Sequence, residues 1–113
     1  MLKYDVFKYE IFKDNNKLAV QYPTRSGPLD ILAISKDKKE FLVIELKKDR
    51  ASDIVLGQIQ RYMGHIKNNV AHNNETVRGL IIALDDDKNL QDALSVTPNI
   101  KFMKYRVSFD LVD

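Results

Sequence analysis

Cysteine is absent from this chain of 113 residues, and histidine occurs only twice. Without cysteine the chain has no disulfide, no thiolate metal ligand and no cysteine nucleophile. His65 and His72 lack the spacing of a zinc site, and no serine–histidine pattern typical of hydrolases accompanies them. The four glycines form no phosphate-binding loop. These absences remove several common kinds of enzyme site from consideration.

Long hydrophobic runs and a strong charge bias are also missing. No window approaches about 18 consecutive apolar residues and the N-terminus lacks a signal-peptide pattern, which predicts a cytoplasmic protein with no membrane partner. The net charge is only +2, so composition by itself does not indicate a nucleic-acid partner. A length of 113 residues and an apolar fraction of 44% predict a single globular domain over residues 1–113.

Strand-like patterns occupy much of the chain. Residues 29–35 and 41–47 are apolar on both faces, which is typical of strands in the middle of a sheet. The short polar run between them predicts an antiparallel hairpin. Residues 4–12 fit either a strand or a short helix. The remaining predictions are strands at 18–22, 78–84 and 100–111, a turn at 13–17, and loops at 23–28 and 68–76.

Two segments have the pattern of amphipathic helices. The first follows Ser52, a suitable N-cap, and carries one apolar stripe formed by Val55, Ile59, Tyr62, Met63 and Ile66. The second begins at residues 85–87 and continues to about Val96. Strand, helix and strand in succession predict a βαβ unit with parallel strands. The predicted fold class is therefore α/β, a mixed β-sheet with an antiparallel hairpin and parallel strands, flanked by helices.

Charged side chains interrupt the two predicted central strands. Asp30 lies near the start of the first strand, and Glu45 lies near the end of the second. Charged residues seldom occupy such positions unless something pairs with them. If the hairpin turns at the middle of the polar run 36–39, Asp30 and Glu45 face each other with Cβ atoms about 4.5–5.5 Å apart. A register shifted by one residue would instead place them on opposite faces.

A divalent cation such as Mg²⁺ would turn the repulsion between these two carboxylates into coordination. The backbone carbonyl of Leu46 is suitably placed to be a further ligand. Lys47 lies on the same face as Glu45, where its ammonium can stabilise negative charge on a phosphate. The alternative is that the acids are simply paired with Lys47 and with Arg25 or Lys48, without any metal.

These residues belong to an ordered set of motifs. Gly-Pro-Leu-Asp30 and Glu45-Leu46-Lys47 match the two halves of the motif of the PD-(D/E)xK nuclease superfamily, and Gln58 with Tyr62 forms the Gln-x-x-x-Tyr motif of its RecB-like subgroup. Residues 26–64, 77–81 and 105–109 resemble the C-terminal catalytic domain of NucS/EndoMS-type endonucleases. The resemblance covers about residues 18–113 and implies a restriction-endonuclease-like fold.

The resemblance also implies hydrolysis of phosphodiester bonds in DNA with Mg²⁺ or Mn²⁺. Asp30 and Glu45 would bind the metal ion, and Lys47 would serve catalysis. Gln58 and Tyr62 would position the metal site or the nucleic-acid backbone, although Tyr62 is equally well explained by core packing. Two alternatives stay open: an accessory DNA-binding subunit that is inactive without a missing domain, and a structural domain whose acids are bridged by lysine.

Basic residues near the motifs are candidates for phosphate contacts, and ordinary solvated charge explains each of them as well. They are Arg25, Lys48, Arg50, Arg61 and Lys101. The three consecutive aspartates at 85–87 have the look of a metal cluster, but capping of the second helix accounts for them.

The sequence departs from the family pattern in two ways. NucS-type enzymes carry an N-terminal domain for DNA binding and dimer formation, for which this chain has no room. The superfamily also places a helix before the first strand, often with an acidic residue, and Glu10 is the only candidate here. Either residues 4–12 replace that helix or a second subunit covers the exposed sheet face. We therefore predict a homodimer, with residues 1–17 as possible oligomer contacts.

Overall fold

A six-stranded mixed sheet forms the centre of the protein in a computed structural model, which describes residues 8–113. The strand order is β1-β5-β6-β8-β10, and β4 also pairs with β5. Residues 4–7 of the predicted strand or helix at 4–12 lie outside the described residues. The elements in chain order are β1 (Tyr9–Ile11), β2 (Lys13–Asp14), β3 (Lys17–Leu18), β4 (Val20–Thr24), β5 (Gly27–Ser35), β6 (Glu40–Leu46), β7 (Arg50–Ala51), α1 (Ile54–Asn69), β8 (Thr76–Ala83), β9 (Asp85–Asp86), α2 (Lys88–Ser95) and β10 (Ile100–Lys104).

The predicted hairpin and the predicted βαβ unit are both present. Strands β5 and β6 are antiparallel, with Ile31 opposite Ile44. This is the register expected for a turn at the middle of residues 36–39, and it brings Asp30 opposite Glu45. Strands β6 and β8 are parallel and are connected through α1. The α/β fold class with its mixed sheet is confirmed.

Both helices pack on the same face of the sheet. Their buried side chains form one core cluster with Phe41, Val43 and Ile81 of the central strands. The predicted stripe of α1 faces this core, and Met63 packs at its margin. Because alternate residues of a strand point to the same face, Glu45 lies on the helix-covered side, as Val43 does. The helix residues concerned are Val55, Leu56, Ile59, Tyr62 and Ile66 of α1 and Leu90 of α2.

The opposite face of the sheet has a smaller apolar cluster. Ala33, Leu42 and Leu80 are buried there, and Ile44 and Ile82 pack against them. No helix residue from the described part of the chain belongs to this cluster. Within residues 8–113, one sheet face is thus less covered than the other.

The loop predicted at residues 23–28 is wrong, because β4 and β5 continue into a two-residue turn at Arg25 and Ser26. Thr24 Oγ1 accepts a hydrogen bond from Ser26 N–H and donates one to the Gly27 carbonyl oxygen. Gly27 has a φ of 108°, a conformation that glycine adopts without the Cβ clash of other residues. The turn also brings Gly27 towards α1.

The closing strand is shorter than predicted, since β10 ends at Lys104 rather than near Leu111. Its only partner among the described strands is β8, and Lys104 pairs with Ala83, the last residue of β8. Beyond Lys104 there are no further β8 residues to pair with. Residues 105–111 therefore do not form a strand, although apolar residues alternate along them.

Both helix starts differ slightly from their predicted positions. The N-cap of α1 is Asp53 rather than Ser52, although Ser52 Oγ still accepts a 3.4 Å hydrogen bond from Ile54 N–H. Asp85 and Asp86 form strand β9 with β7 instead of opening α2. Asp87 is the N-cap of α2, and its side chain accepts from Leu90 N–H at 2.8 Å.

The close contact between α1 and β8 depends on Gly79. A Cβ at this position would lie 2.8 Å from Met63 Sδ and 3.0 Å from Ile59 Cδ1. We expect Gly79→Ala to lower the free energy of unfolding in urea by roughly 1–3 kcal/mol, because the side chains of Met63 and Ile59 must move to admit the methyl group. Gly64→Ala is the matched control. A Cβ at Gly64 meets nothing within 4 Å, and alanine should raise stability by about 0.5–1 kcal/mol. Equal stability of Gly79→Ala and the wild type would contradict the contact.

Candidate metal and nuclease site

The two predicted acids meet where β5 begins and β6 ends. Asp30 N–H donates a 3.3 Å hydrogen bond to Glu45 Oε1, and Leu46 N–H donates a 2.8 Å hydrogen bond to Asp30 Oδ2. Each acid is therefore held by the backbone of the opposite strand. Glu45 is only 2% exposed, and among residues 8–113 it is the one charged residue that is fully buried.

The pKa of the Glu45 carboxyl is raised above its ordinary value. Burial is the main cause, and the negative charge of Asp30 adds to it. The Asp30 N–H and the Lys47 ammonium act in the opposite direction without cancelling these effects. A buried carboxylate beside a second carboxylate is a costly arrangement, and such perturbed groups concentrate at functional sites.

Lys47, Gln58 and Tyr62 form a continuous chain of hydrogen bonds beside Glu45. Lys47 Nζ donates to Gln58 Oε1 at 3.1 Å and lies 3.7 Å from Glu45 Oε2. Gln58 Nε2 in turn donates to the Tyr62 hydroxyl at 3.2 Å. Gln58 and Tyr62 are one helical turn apart on α1, so both reach the same side. Tyr62 is 3% exposed. Its ring packs in the core, and its hydroxyl takes part in these hydrogen bonds.

The donor set fits a hydrated divalent cation. Within residues 8–113 no group of three or more His, Cys, Asp or Glu side chains is arranged to hold a metal ion. Mg²⁺ keeps several waters in proteins and needs only one or two carboxylates, and the Asp30–Glu45 pair supplies two. The burial of Glu45 next to Asp30, which Asp30 N–H and Lys47 offset only in part, is the observation that matches such an ion. The Leu46 carbonyl stays a predicted ligand.

Gln21 is a member of the site that the sequence pattern did not single out. Its Nε2 donates a 3.2 Å hydrogen bond to Asp30 Oδ1. The pairs Val20–Ile31 and Tyr22–Leu29 on either side place it opposite Asp30. A two-residue turn at Arg25 and Ser26 would have revealed this register, but residues 23–28 were predicted as a loop.

Glu10 does not join the acids in this structure. Its carboxylate forms an ion pair with Lys38 at the hairpin turn, and this ammonium holds the pKa of Glu10 below its ordinary value. Glu10 pairs with Ile34, which is four residues from Asp30 along β5 and so about 13 Å away. The acid expected from an N-terminal helix is not supplied by this residue.

Two of the predicted basic residues lie on elements next to the site. Arg25 is exposed in the turn that precedes Gly27, and a Cβ on Gly27 would lie 4.0 Å from the Tyr62 hydroxyl. Arg61 is exposed on α1, three residues after Gln58, a spacing that places the two side chains next to each other on a helix.

The other basic residues differ in their surroundings. Lys48 is exposed directly after Lys47, and its carbonyl oxygen accepts a 2.6 Å hydrogen bond from the Tyr105 hydroxyl. Arg50 forms a 3.3 Å ion pair with Asp85. The prediction that Lys101 flanks the site is wrong. It pairs with Leu80, which belongs to the cluster on the opposite face of the sheet.

The aspartates at 85–87 are accounted for by capping and ion pairs. Asp85 and Asp86 both contact the ammonium of Lys104, at 3.3 Å and 3.6 Å. The Asp86 N–H and the Lys104 ammonium also lower the pKa of Asp85. Asp85 and Asp86 therefore belong to a surface ion-pair network.

The site combines an aspartate and a Glu-x-Lys segment on neighbouring strands of a mixed sheet. The helix that follows carries Gln58 and Tyr62. This is the arrangement of a PD-(D/E)xK-like nuclease domain. Residues 10–107 match the family described as the Endonuclease NucS C-terminal domain. The chain belongs to this family.

Individual relatives are consistent with this assignment. The chain is 35% identical over 66 residues to Endonuclease NucS 1 of Halobacterium salinarum, covering 58% of this chain and 27% of NucS 1. A repair endonuclease from Pyrococcus abyssi has a TM-score of 0.63 at 27% identity, over 76% of this chain and 36% of that one. An EndoMS–dsDNA complex has the same fold, with a TM-score of 0.67 at 18% identity, over 90% of this chain and 38% of that one.

This chain therefore spans 27% of the curated relative and 36% of the Pyrococcus abyssi structure. No helix within residues 8–113 is long and apolar enough to cross a membrane.

Proposed function

We propose that this domain hydrolyses phosphodiester bonds in DNA with the help of a divalent cation, Mg²⁺ or Mn²⁺. The observation that carries the proposal is the buried Glu45 carboxylate facing Asp30, with the ammonium of Lys47 beside it. Membership of the NucS C-terminal domain family supports the same conclusion.

Each residue has a distinct role in this proposal. Asp30 and Glu45 would hold the cation, with the Leu46 carbonyl as a further ligand. When bound, such a cation supplies Lewis acidity towards a phosphate oxygen and makes water a better nucleophile at neutral pH. The Lys47 ammonium stabilises the negative charge that develops on the phosphate.

Gln58 and Tyr62 keep the lysine in place. Gln58 Oε1 accepts from Lys47 Nζ, and the Tyr62 hydroxyl accepts from Gln58 Nε2. Because Tyr62 is anchored in the core, the position of the ammonium is tied to the packing of α1 against the sheet. Such preorganisation lets a charged group act without being rearranged during the reaction.

The purely structural alternative, in which lysine bridges the acids, is less well supported. Lys47 is 3.7 Å from Glu45 Oε2 and closer to Gln58, and the pKa of Glu45 stays raised in its presence. Lys47 lowers this pKa but does not offset the effects of burial and of Asp30, so it compensates only part of the buried charge. An accessory DNA-binding subunit would keep the same cation site but cut no DNA, and the cleavage screen described next separates it from the nuclease.

A cleavage screen tests the proposal. Single-stranded, duplex, branched and mismatched DNA are incubated with the protein and Mg²⁺ or Mn²⁺, and EDTA provides the control. Cleavage of any of these that EDTA abolishes supports the nuclease. If the protein binds Mn²⁺ in calorimetry but cuts none of them, the accessory role is the correct one. If it binds neither cation, the structural alternative is correct.

The exposed Arg25 and Arg61 are proposed to contact the DNA backbone, and Lys48 and Arg50 extend the same basic surface. We expect Arg25→Ala to weaken DNA binding severalfold and to reduce the slope of log affinity against log salt by about 1, because one phosphate contact is lost. Lys101→Ala on the opposite face is the matched control and should change neither quantity. Fluorescence anisotropy across a salt series measures both. Equal losses in the two variants would remove Arg25 from the interface.

We further propose that the domain forms a homodimer. Ile11, Leu46 and Met103 are between 37% and 48% exposed on or beside the face that carries no helix residue among 8–113. Burial of such apolar surface favours association. Light scattering at micromolar concentration measures the mass, and a monomer would contradict the proposal. The single-domain organisation, the oligomer contacts of residues 1–17 and the cytoplasmic location stay predictions.

A further inference from the structure

The carboxylate of Asp30 is held by a donor on each of its oxygens. Leu46 N–H occupies one lone pair of Oδ2 at 2.8 Å, and Gln21 Nε2 occupies one lone pair of Oδ1 at 3.2 Å. Two donors from two different strands fix both the position and the rotation of a carboxylate group. Each oxygen keeps a further lone pair for another partner.

The backbone of Gln21 has an unusual conformation for a strand residue. Its φ is 52°, in the left-handed region that residues other than glycine seldom adopt. The side chain is exposed, so core packing does not account for the conformation. The side chain of Gln21 forms a hydrogen bond with the side chain of Asp30. Strained residues of this kind cluster at ligand-binding sites.

The chemistry of the donor is also informative. An amide orients the carboxylate but carries no charge, so the negative charge of Asp30 remains available to a cation. A lysine or arginine at this position would pair with Asp30 and compete with the cation. A neutral donor is therefore suited to a carboxylate that has to bind a metal ion.

From these observations we propose that Gln21 is a positioning residue that orients Asp30 for binding of a divalent cation. The inference rests on the proposed function and adds to it a residue of β4, outside the hairpin and helix that carry the family motifs. Groups that orient metal ligands typically change metal affinity 10- to 100-fold when removed.

Three variants separate the amide from the backbone strain, with Mn²⁺ binding to the metal-free protein measured by titration calorimetry. Gln21→Ala and Gln21→Gly both lose the amide, and we expect each to weaken Mn²⁺ binding about tenfold, at the lower end of that range. Glycine also relieves the strain at φ 52°, so Gln21→Gly should be at least as stable to urea as Gln21→Ala. Gln21→Lys should weaken Mn²⁺ binding more than either.

The outcomes are distinct from those of the proposed function. If the wild type does not bind Mn²⁺, the metal site itself is wrong. If the wild type binds Mn²⁺ and Gln21→Gly binds it equally well, the metal site stands and the positioning role is refuted. The role is also refuted if Gln21→Gly restores the affinity that Gln21→Ala loses, since the effect would then come from the backbone.

Discussion

Replacing Lys47 with methionine is expected to reduce DNA cleavage about 10²- to 10³-fold, the range seen when a single charge-stabilising donor is removed. Methionine keeps much of the side-chain volume but cannot donate to Gln58 or stabilise charge on a phosphate. Mn²⁺ binding should be retained or tightened. In the wild type the Lys47 ammonium lies 3.7 Å from Glu45 Oε2 and repels a cation, and the variant lacks this charge. Single-turnover cleavage and titration calorimetry measure the two effects separately.

Lys101→Met is the matched control for this variant. Lys101 lies on the opposite sheet face, so the same chemical change there should leave cleavage at the wild-type rate. Circular dichroism establishes that both variants are folded. Full cleavage by Lys47→Met would mean that the observed activity does not come from this site.

Glu45→Gln is expected to stabilise the metal-free protein at neutral pH while removing its response to divalent cations. The glutamine keeps an oxygen for Asp30 N–H and eliminates the buried charge that faces Asp30. The wild type should gain about 2.7 kcal/mol from a cation at a hundredfold excess over its Kd, whereas the variant should gain nothing. Urea denaturation with EDTA or with Mn²⁺ measures both quantities.

The pH dependence of this difference has a definite sign. Since the pKa of Glu45 is raised in the folded protein, the folded state binds more protons than the unfolded state above pH 4.5. The metal-free wild type therefore loses stability relative to Glu45→Gln as the pH rises from the unfolded pKa through the folded one. The stability gap should be small at pH 4 and wider at pH 7. A gap that narrows with rising pH would show that Glu45 is stabilised as an anion.

The hairpin register was predictable because the local pattern determines it. Two strands that are apolar on both faces, joined by a short polar run, have few ways to pair, and residue numbers alone place Asp30 opposite Glu45. The same is true of the α1 stripe, since its 3.6-residue period is a property of the segment itself. These local patterns bring all five catalytic candidates together at one site.

Other features depend on partners distant in the sequence. Pro23 and Pro28 indicate a loop, yet Pro23 lies in β4 and pairs with Pro28 in β5. Proline is tolerated there because β4 is at the edge of the sheet. The alternating residues Val107, Phe109 and Leu111 have a strand pattern, but β8 ends before it can pair with them. Gln21 was missed because residues 23–28 were predicted as a loop, which hid the pairing of β4 with β5.

All five predicted catalytic candidates fall between Asp30 and Tyr62, within one hairpin and the helix that follows it. Contacts between residues so near in sequence close small loops, which carry a low entropic cost and form early in folding. None of the site contacts described above involves β10, whose only partner among the described strands is β8, so transient opening of that edge should leave the acids and Lys47 in place. Amide hydrogen exchange would then show slower exchange in β5, β6 and α1 than in β10.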